Sequence, residues 1–177
     1  REMYRQAVNR LLSEVAETGE FFRAGIVAID ITEADPFTGD RTGHEDEIIG
    51  TKEKTDEYAY QWATVQLVGN AVPIVLDARP VRKGESRLEI VKDLLDSAEE
   101  MVHVDNVLMD REFDSQHVLE MLSQRGLSYV VPKRMQTSEK AQAKRLLQRD
   151  QDRYETDRKL HLGKNEWHET TLVYRRK

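Results

Sequence analysis

The chain has 177 residues, 34% of them charged, a net charge of −6 and no cysteine. That length supports one domain with a sizeable core; the lack of cysteine excludes disulfides and thiolate metal sites, and no apolar run approaches the ~20 residues of a membrane-spanning helix. Charge is unevenly placed: residues 1–110 hold 12 Lys and Arg against 23 Asp and Glu, a net of −11, whereas residues 111–177 hold 15 against 10, a net of +5. The basic second half fits either an anionic partner such as nucleic acid or an ordinary solvated surface. No secretory signal pattern opens the chain, and an intracellular location is the expectation.

In chain order, Tyr4, Val8, Leu11 and Val15 recur at helical spacing and predict a first helix over about 2–17, with Gly19 as its stop. Residues 24–32 form an apolar strand interrupted by one acid, Asp30. Residues 33–57 read as a charged loop whose length points to function or mobility. The runs YAYQWATVQLV and VPIVLDARPV are rich in β-branched and aromatic residues and meet at Gly69-Asn70, a hairpin signal. Ser86 and Glu89 form a capping box for a helix whose stripe is Leu88, Val91, Leu95, Ala98 and Val102. A strand over 106–110 ends in Asp110. Asp114 or Ser115 then caps a helix that stops at Gly126. SYVVPK is a short fifth strand, Ser138 to Arg149 reads as helix, and RKLHL and WHETTLVY flank the turn Gly163-Lys164-Asn165.

Three strands linked by hairpins, then helix, strand, helix, strand, predict an α/β fold of the ribonuclease H-like type. Its mixed five-stranded sheet is flanked by helices, with the fourth strand parallel to the first. Three parts are expected: an N-terminal helix over 1–20, an incomplete catalytic core over 21–134 and the start of a β-rich insertion over 135–177. The first residue is Arg1, and TTLVYRRK closes on a strand, so the chain reads as a fragment of a longer protein.

Two carboxylates carry the chemistry. Asp30 lies among Ile26, Val27, Ala28, Ile29 and Ile31, and Asp110 follows Val107, Leu108 and Met109. An ionised carboxylate in such surroundings costs several kcal/mol without a compensating partner or metal. If the two converge, one stays protonated unless a cation sits between them, and magnesium or manganese prefers such oxygen ligands.

At these residues the chain resembles the DDE transposases of bacterial and archaeal insertion sequences, which cut and paste DNA with a ribonuclease H-like catalytic domain. VAIDIT is similar to the family's first-aspartate motif, VLMDREFDS to the second, and YVVPKR to the strand preceding its β-rich insertion. The resemblance, over about residues 24–177, implies that Asp30 and Asp110 are catalytic ligands of Mg2+ or Mn2+, with Asp30 bridging two ions and Asp110 binding one. It implies metal-dependent cleavage and strand transfer in DNA transposition. The implied partner is double-stranded DNA, at element ends and target, bound by a homodimer in the cytoplasm in association with the nucleoid, without a membrane. The third carboxylate of the family is a helical Glu within a pattern of Tyr, Arg three on, Glu four further and Lys seven further. No tyrosine here begins that pattern: Tyr129 leads to Pro132, Tyr154 to Asp157, Tyr174 to Lys177, Tyr58 to Gln61, Tyr60 to Ala63 and Tyr4 to Ala7. The third ligand is therefore expected beyond Lys177, and the chain alone is expected to be inactive, with one sheet face uncovered. Glu139 and Glu155 are the internal alternatives.

Each feature has a plainer reading. Asp30 can be a strand-end acceptor of backbone hydrogen bonds, Asp110 a helix N-cap, and Asp77, which ends another apolar run, a rival carboxylate or a turn residue beside Pro80. The histidines at 44, 103, 117, 161 and 168 contain no i, i+4 zinc pair. Lys133 and Arg134, with Lys140, Lys144 and Arg145 behind them, are placed to track DNA phosphates or to solvate a helix. Trp62 and Trp167 can stack on bases, but their strand pattern favours core packing. Two other functions remain open at this point: another ribonuclease H-like nuclease or resolvase, and a non-catalytic remnant that binds only DNA or its full-length relative.

Overall fold

The computed structural model describes residues 1–17, 24–51, 57–69, 72–133, 135–147, 153–161 and 167–175. Six strands form one mixed sheet: β1 (Ala24–Phe37), β2 (Ile48–Gly50), β3 (Tyr58–Val68), β4 (Ile74–Pro80), β5 (His103–Met109) and β6 (Ser128–Val130). β3 and β4 form the expected hairpin, β1 pairs antiparallel with β3, and β5 runs parallel to β1 on its other edge, followed by β6. The order β4-β3-β1-β5-β6 is that of the ribonuclease H-like fold. The extra strand, β2, takes up the free edge of β3 beside Tyr58 and Tyr60. It lies in the expected loop over 33–57, which is shorter than predicted because β1 continues to Phe37.

The helices α1 (Glu2–Ala16), α2 (Arg87–Glu99) and α3 (Gln116–Gln124) bring their apolar sides onto one face of this sheet. Val27, Ile29 and Ile31 of β1, Ala63, Val65 and Leu67 of β3, and Val107 and Met109 of β5 line that face and are buried. The helix stripe of α1 is rotated from the predicted one: Val8 and Leu12 are buried, whereas Tyr4 and Leu11 are exposed. The Ser86–Glu89 capping box forms in both directions, starting α2 as read. Ser115 is the N-cap residue of α3 but makes no side-chain cap bond.

Beyond β6, α4 (Thr137–Leu146) leads to a separate two-stranded hairpin, β7 (Arg153–His161) and β8 (Trp167–Arg175). The predicted stop Gly19, Asn70 of the first hairpin turn, Arg149 and the turn Gly163-Lys164-Asn165 lie outside the described residues. The hairpin is tied to the larger sheet by a polar cluster. The Tyr129 hydroxyl meets His168 Nε2 at 2.9 Å and Thr170 Oγ1 at 2.8 Å, His168 Nδ1 meets Glu120 at 2.9 Å, and Arg158 meets Asp114 at 2.8 Å. His168 is thus a buried structural residue rather than a metal ligand.

Candidate active site

Side chains alternate along a strand, so burial of Ile29 and Ile31 turns Asp30 to the opposite face of β1, where it is exposed. The last registered pair between β1 and β5 is Ile29 with Met109. One residue further, both chains carry an aspartate. Asp110 keeps an extended backbone (φ −75°, ψ 165°) before the 3-10 turn Arg111–Phe113. The strand geometry thereby brings Asp30 and Asp110 side by side, about one inter-strand spacing of ~5 Å apart at the backbone. Buried Phe113 anchors the 3-10 turn just beyond the pair.

The bonding of these carboxylates sets them apart from their neighbours. Within DREFDS, Glu112 is ion-paired with Arg87 at 3.0 Å and Asp114 with Arg158 at 2.8 Å. Among the described residues, Asp110 accepts only the Arg111 amide, at 2.6 Å, and Asp30 only a long bond of 3.3 Å from the Thr32 hydroxyl. Neither has an ion-pair partner among the described residues. Asp110 therefore also fills the N-cap role weighed for it, but that bond uses one carboxylate oxygen and supplies no countercharge. Two adjacent, exposed, uncompensated carboxylates are a donor set that suits a hard divalent cation. Among the described residues, however, no group of three or more His, Asp or Glu side chains is assembled as a metal site.

Asp77, the rival, serves the fold. It is fully buried on the helix-covered face, where Arg1 donates to it at 2.7 and 2.9 Å and Ser97 adds a short bond. Burial pushes its carboxyl upward, but Arg1, Ser97 and the Ala78 amide outweigh that and hold it below the usual carboxylate range. The internal alternatives for a third ligand are likewise engaged: Glu139 with Lys133 at 2.6 Å and Glu155 with Arg153. Lys133 is thus a neutralised, largely buried cation; Arg134 lies outside the described residues.

Neither tryptophan packs in the core as its strand pattern suggested. Trp62 is 42% exposed and Trp167 52% exposed, while Gln61 is 5% exposed. Trp62 is paired across β1 with Thr32 and so lies on the same face as Asp30. The signal was present in the alternation Ala59, Gln61, Ala63, Val65, which makes the small residues of β3 the buried set.

A protein-family model described as "Transposase DDE domain" matches residues 25–175. Among solved structures, the fold is similar to that in "Cryo-EM structure of piggyBac transposase synaptic complex with hairpin DNA (SNHP)", with 14% identity and a TM-score of 0.45. That match covers 67% of this chain and 25% of the other, so the chain spans about a quarter of that transposase's length. Nothing among the curated proteins matches.

Proposed function

Because the chain belongs to the transposase DDE domain family, we propose that it is the catalytic portion of a transposase performing metal-dependent DNA strand cleavage and strand transfer, with Asp30 and Asp110 as two of its metal-binding carboxylates. The observation that carries this is the pair itself: two aspartates at matching positions of adjacent parallel strands, both without a countercharge among the described residues. Asp30 and Asp110 would hold Mg2+ or Mn2+, and Thr32 would orient Asp30 through its hydroxyl. A divalent ion bound there would activate the attacking water or 3′-hydroxyl and neutralise charge on the phosphoryl oxygens. Arg111, exposed and adjacent to Asp110, is positioned to meet a DNA phosphate. Lys133 contributes only if it leaves Glu139, so its role is secondary; Arg134, outside the described residues, remains a candidate phosphate contact.

The third carboxylate, in this reading, comes from outside the described residues, and the division near residue 134 separates the catalytic core from the insertion. The transposase would act on double-stranded DNA as a dimer, in the cytoplasm with the nucleoid; among the described residues no helix is long and apolar enough to cross a membrane. The test compares the 177-residue chain with the product of the whole coding region in magnesium-dependent cleavage of the element's own ends, with Asp30→Asn and Asp110→Asn versions of each. The long product cleaves, both variants lose cleavage by orders of magnitude, and the short chain is inactive. Undiminished cleavage by the variants would refute the assignment. Robust cleavage by the short chain would move the third ligand inside it.

A further inference from the structure

The exposed face of β3 next to Asp30 is aromatic. Tyr58, Tyr60 and Trp62 occupy alternate positions and share that face, and Phe37 of β1 joins them, its ring edge-on to Tyr60 at 6.2 Å between centroids. Trp62 is the diagonal cross-strand neighbour of Asp30, whose direct partner is Thr64; such diagonals, ~7–8 Å apart, are within reach of an aromatic side chain. At the far end, the Arg41 guanidinium lies 3.4 Å from the centre of the Tyr58 ring. A row of rings therefore runs from the carboxylate pair to a cation. Thr32, Thr64 and Gln66 stand around the row, with the partly exposed Ile26, Ala28 and Val68 further along the same face.

We propose that this row, from Trp62 through Tyr60 and Tyr58 to Arg41, is a binding track for the unpaired DNA strand at the cut site. The proposal rests on the transposase reading, since it takes the Asp30–Asp110 pair as the place of cutting. Alternate residues of a strand are about 6.7 Å apart, twice the 3.4 Å rise per nucleotide of duplex DNA. Successive rings thus fit the bases of an extended, unstacked strand and not those of an intact helix. Base–aromatic stacking tolerates any sequence, and a guanidinium stacked on a ring adds a phosphate contact at the end of the track.

The experiment measures binding rather than cleavage, so it stands apart from catalytic competence. Affinity of the 177-residue chain is measured by fluorescence anisotropy, without divalent ions and at one fixed salt concentration. The probes are a single-stranded oligonucleotide and the blunt duplex of the same sequence. Trp62→Ala lowers affinity for the single strand by about 5- to 150-fold, the range expected for one lost stack, and changes duplex binding less than twofold. Trp62→Phe stays within about threefold of the parent, while Trp62→Leu behaves as the alanine variant. In a Trp167→Phe background, Trp62 fluorescence is quenched on binding the single strand. The track is refuted by equal affinity for the two probes, by no loss on Trp62→Ala, or by full affinity in Trp62→Leu, which would assign the face to an apolar protein contact. Circular dichroism confirms that each variant is folded. An Asp30→Asn, Asp110→Asn double variant separates the two readings: its cleavage in the full-length product tests the catalytic assignment, whereas the lost negative charge raises affinity for both probes together and only loss of the track's side chains lowers affinity for the single strand selectively.

Discussion

Replacing Asp30 by asparagine should stabilise the folded chain in metal-free buffer. Asp30 and Asp110 carry like charges on adjacent strands and have no ion-pair partner among the described residues. If the charges are separated by the inter-strand spacing of ~5 Å, two unit charges repel by about 0.8 kcal/mol in bulk water and about 3 kcal/mol at an effective dielectric of 20. Both side chains are exposed, which places the value near the lower end, about 1 kcal/mol at low ionic strength. Asparagine keeps an acceptor for the Thr32 hydroxyl, so the substitution removes charge and little else. For a chain of this size that amounts to about 2–4 °C in Tm. The assay is thermal unfolding in 10 mM buffer with chelator, repeated in high salt, where the gain shrinks, and with magnesium, which raises the Tm of the parent but not that of the variant. A lower Tm for Asp30→Asn in chelator, or equal stabilisation of both proteins by magnesium, would refute the paired-carboxylate geometry.

Four other outcomes follow from the fold. Asp77→Ala leaves Arg1, Ser97 and the Ala78 amide without their shared acceptor and should cost about 2–3 kcal/mol in denaturant unfolding, the usual loss from a broken buried pair reduced because Arg1 is partly exposed. The Asp77 carboxyl lies below its ordinary value in the folded state, so its stabilising contribution is complete above about pH 5 and falls away as pH drops through the ordinary carboxylate value toward the folded one; the conservative Asp77→Asn variant should show a shallower loss of stability below about pH 5, and an unchanged slope would contradict the linkage. Ser86→Ala should cost about 1 kcal/mol through the lost cap of α2, with no effect on divalent-ion binding. Tyr129→Phe removes the hydroxyl shared by His168 and Thr170 and should speed amide exchange in β8 selectively, leaving β1 protected; uniform change across the chain would mean that the hairpin is not tied there.

The parts legible in the sequence are those where a local rule was strong. Two β-branched runs meeting at Gly69 and a Ser–Glu capping box each left a direct structural consequence; the apolar neighbours of Asp30 did not bury it, because strand alternation turns its side chain to the exposed face. The misreadings share a cause: local pattern gives the period of an element but not where its neighbours land. In α1, Leu11 and Leu12 are adjacent, and only the packing of α1 against β4 makes Leu12 the buried one. β3 alternates cleanly, yet the helices cover the side of Ala63 and Val65 and leave Trp62 outside. Ile48, Ile49 and Gly50 are too few to show a period, and β2 exists because β3 has a free edge to pair with. The counterions that neutralise Glu112 and Asp114 come from Arg87 and Arg158, 25 and 44 residues away in sequence, so the isolation of Asp110 could not be read from DREFDS alone.

The central claim is that Asp30 and Asp110 share a divalent cation, and the most direct test is an anomalous difference map from crystals of the chain soaked in millimolar Mn2+. The account predicts one peak between the two side chains, about 2.0–2.3 Å from an oxygen of each, that disappears in Asp30→Asn and in Asp110→Asn. A peak confined to other carboxylates, or none there with the two side chains ordered and turned apart, would contradict it.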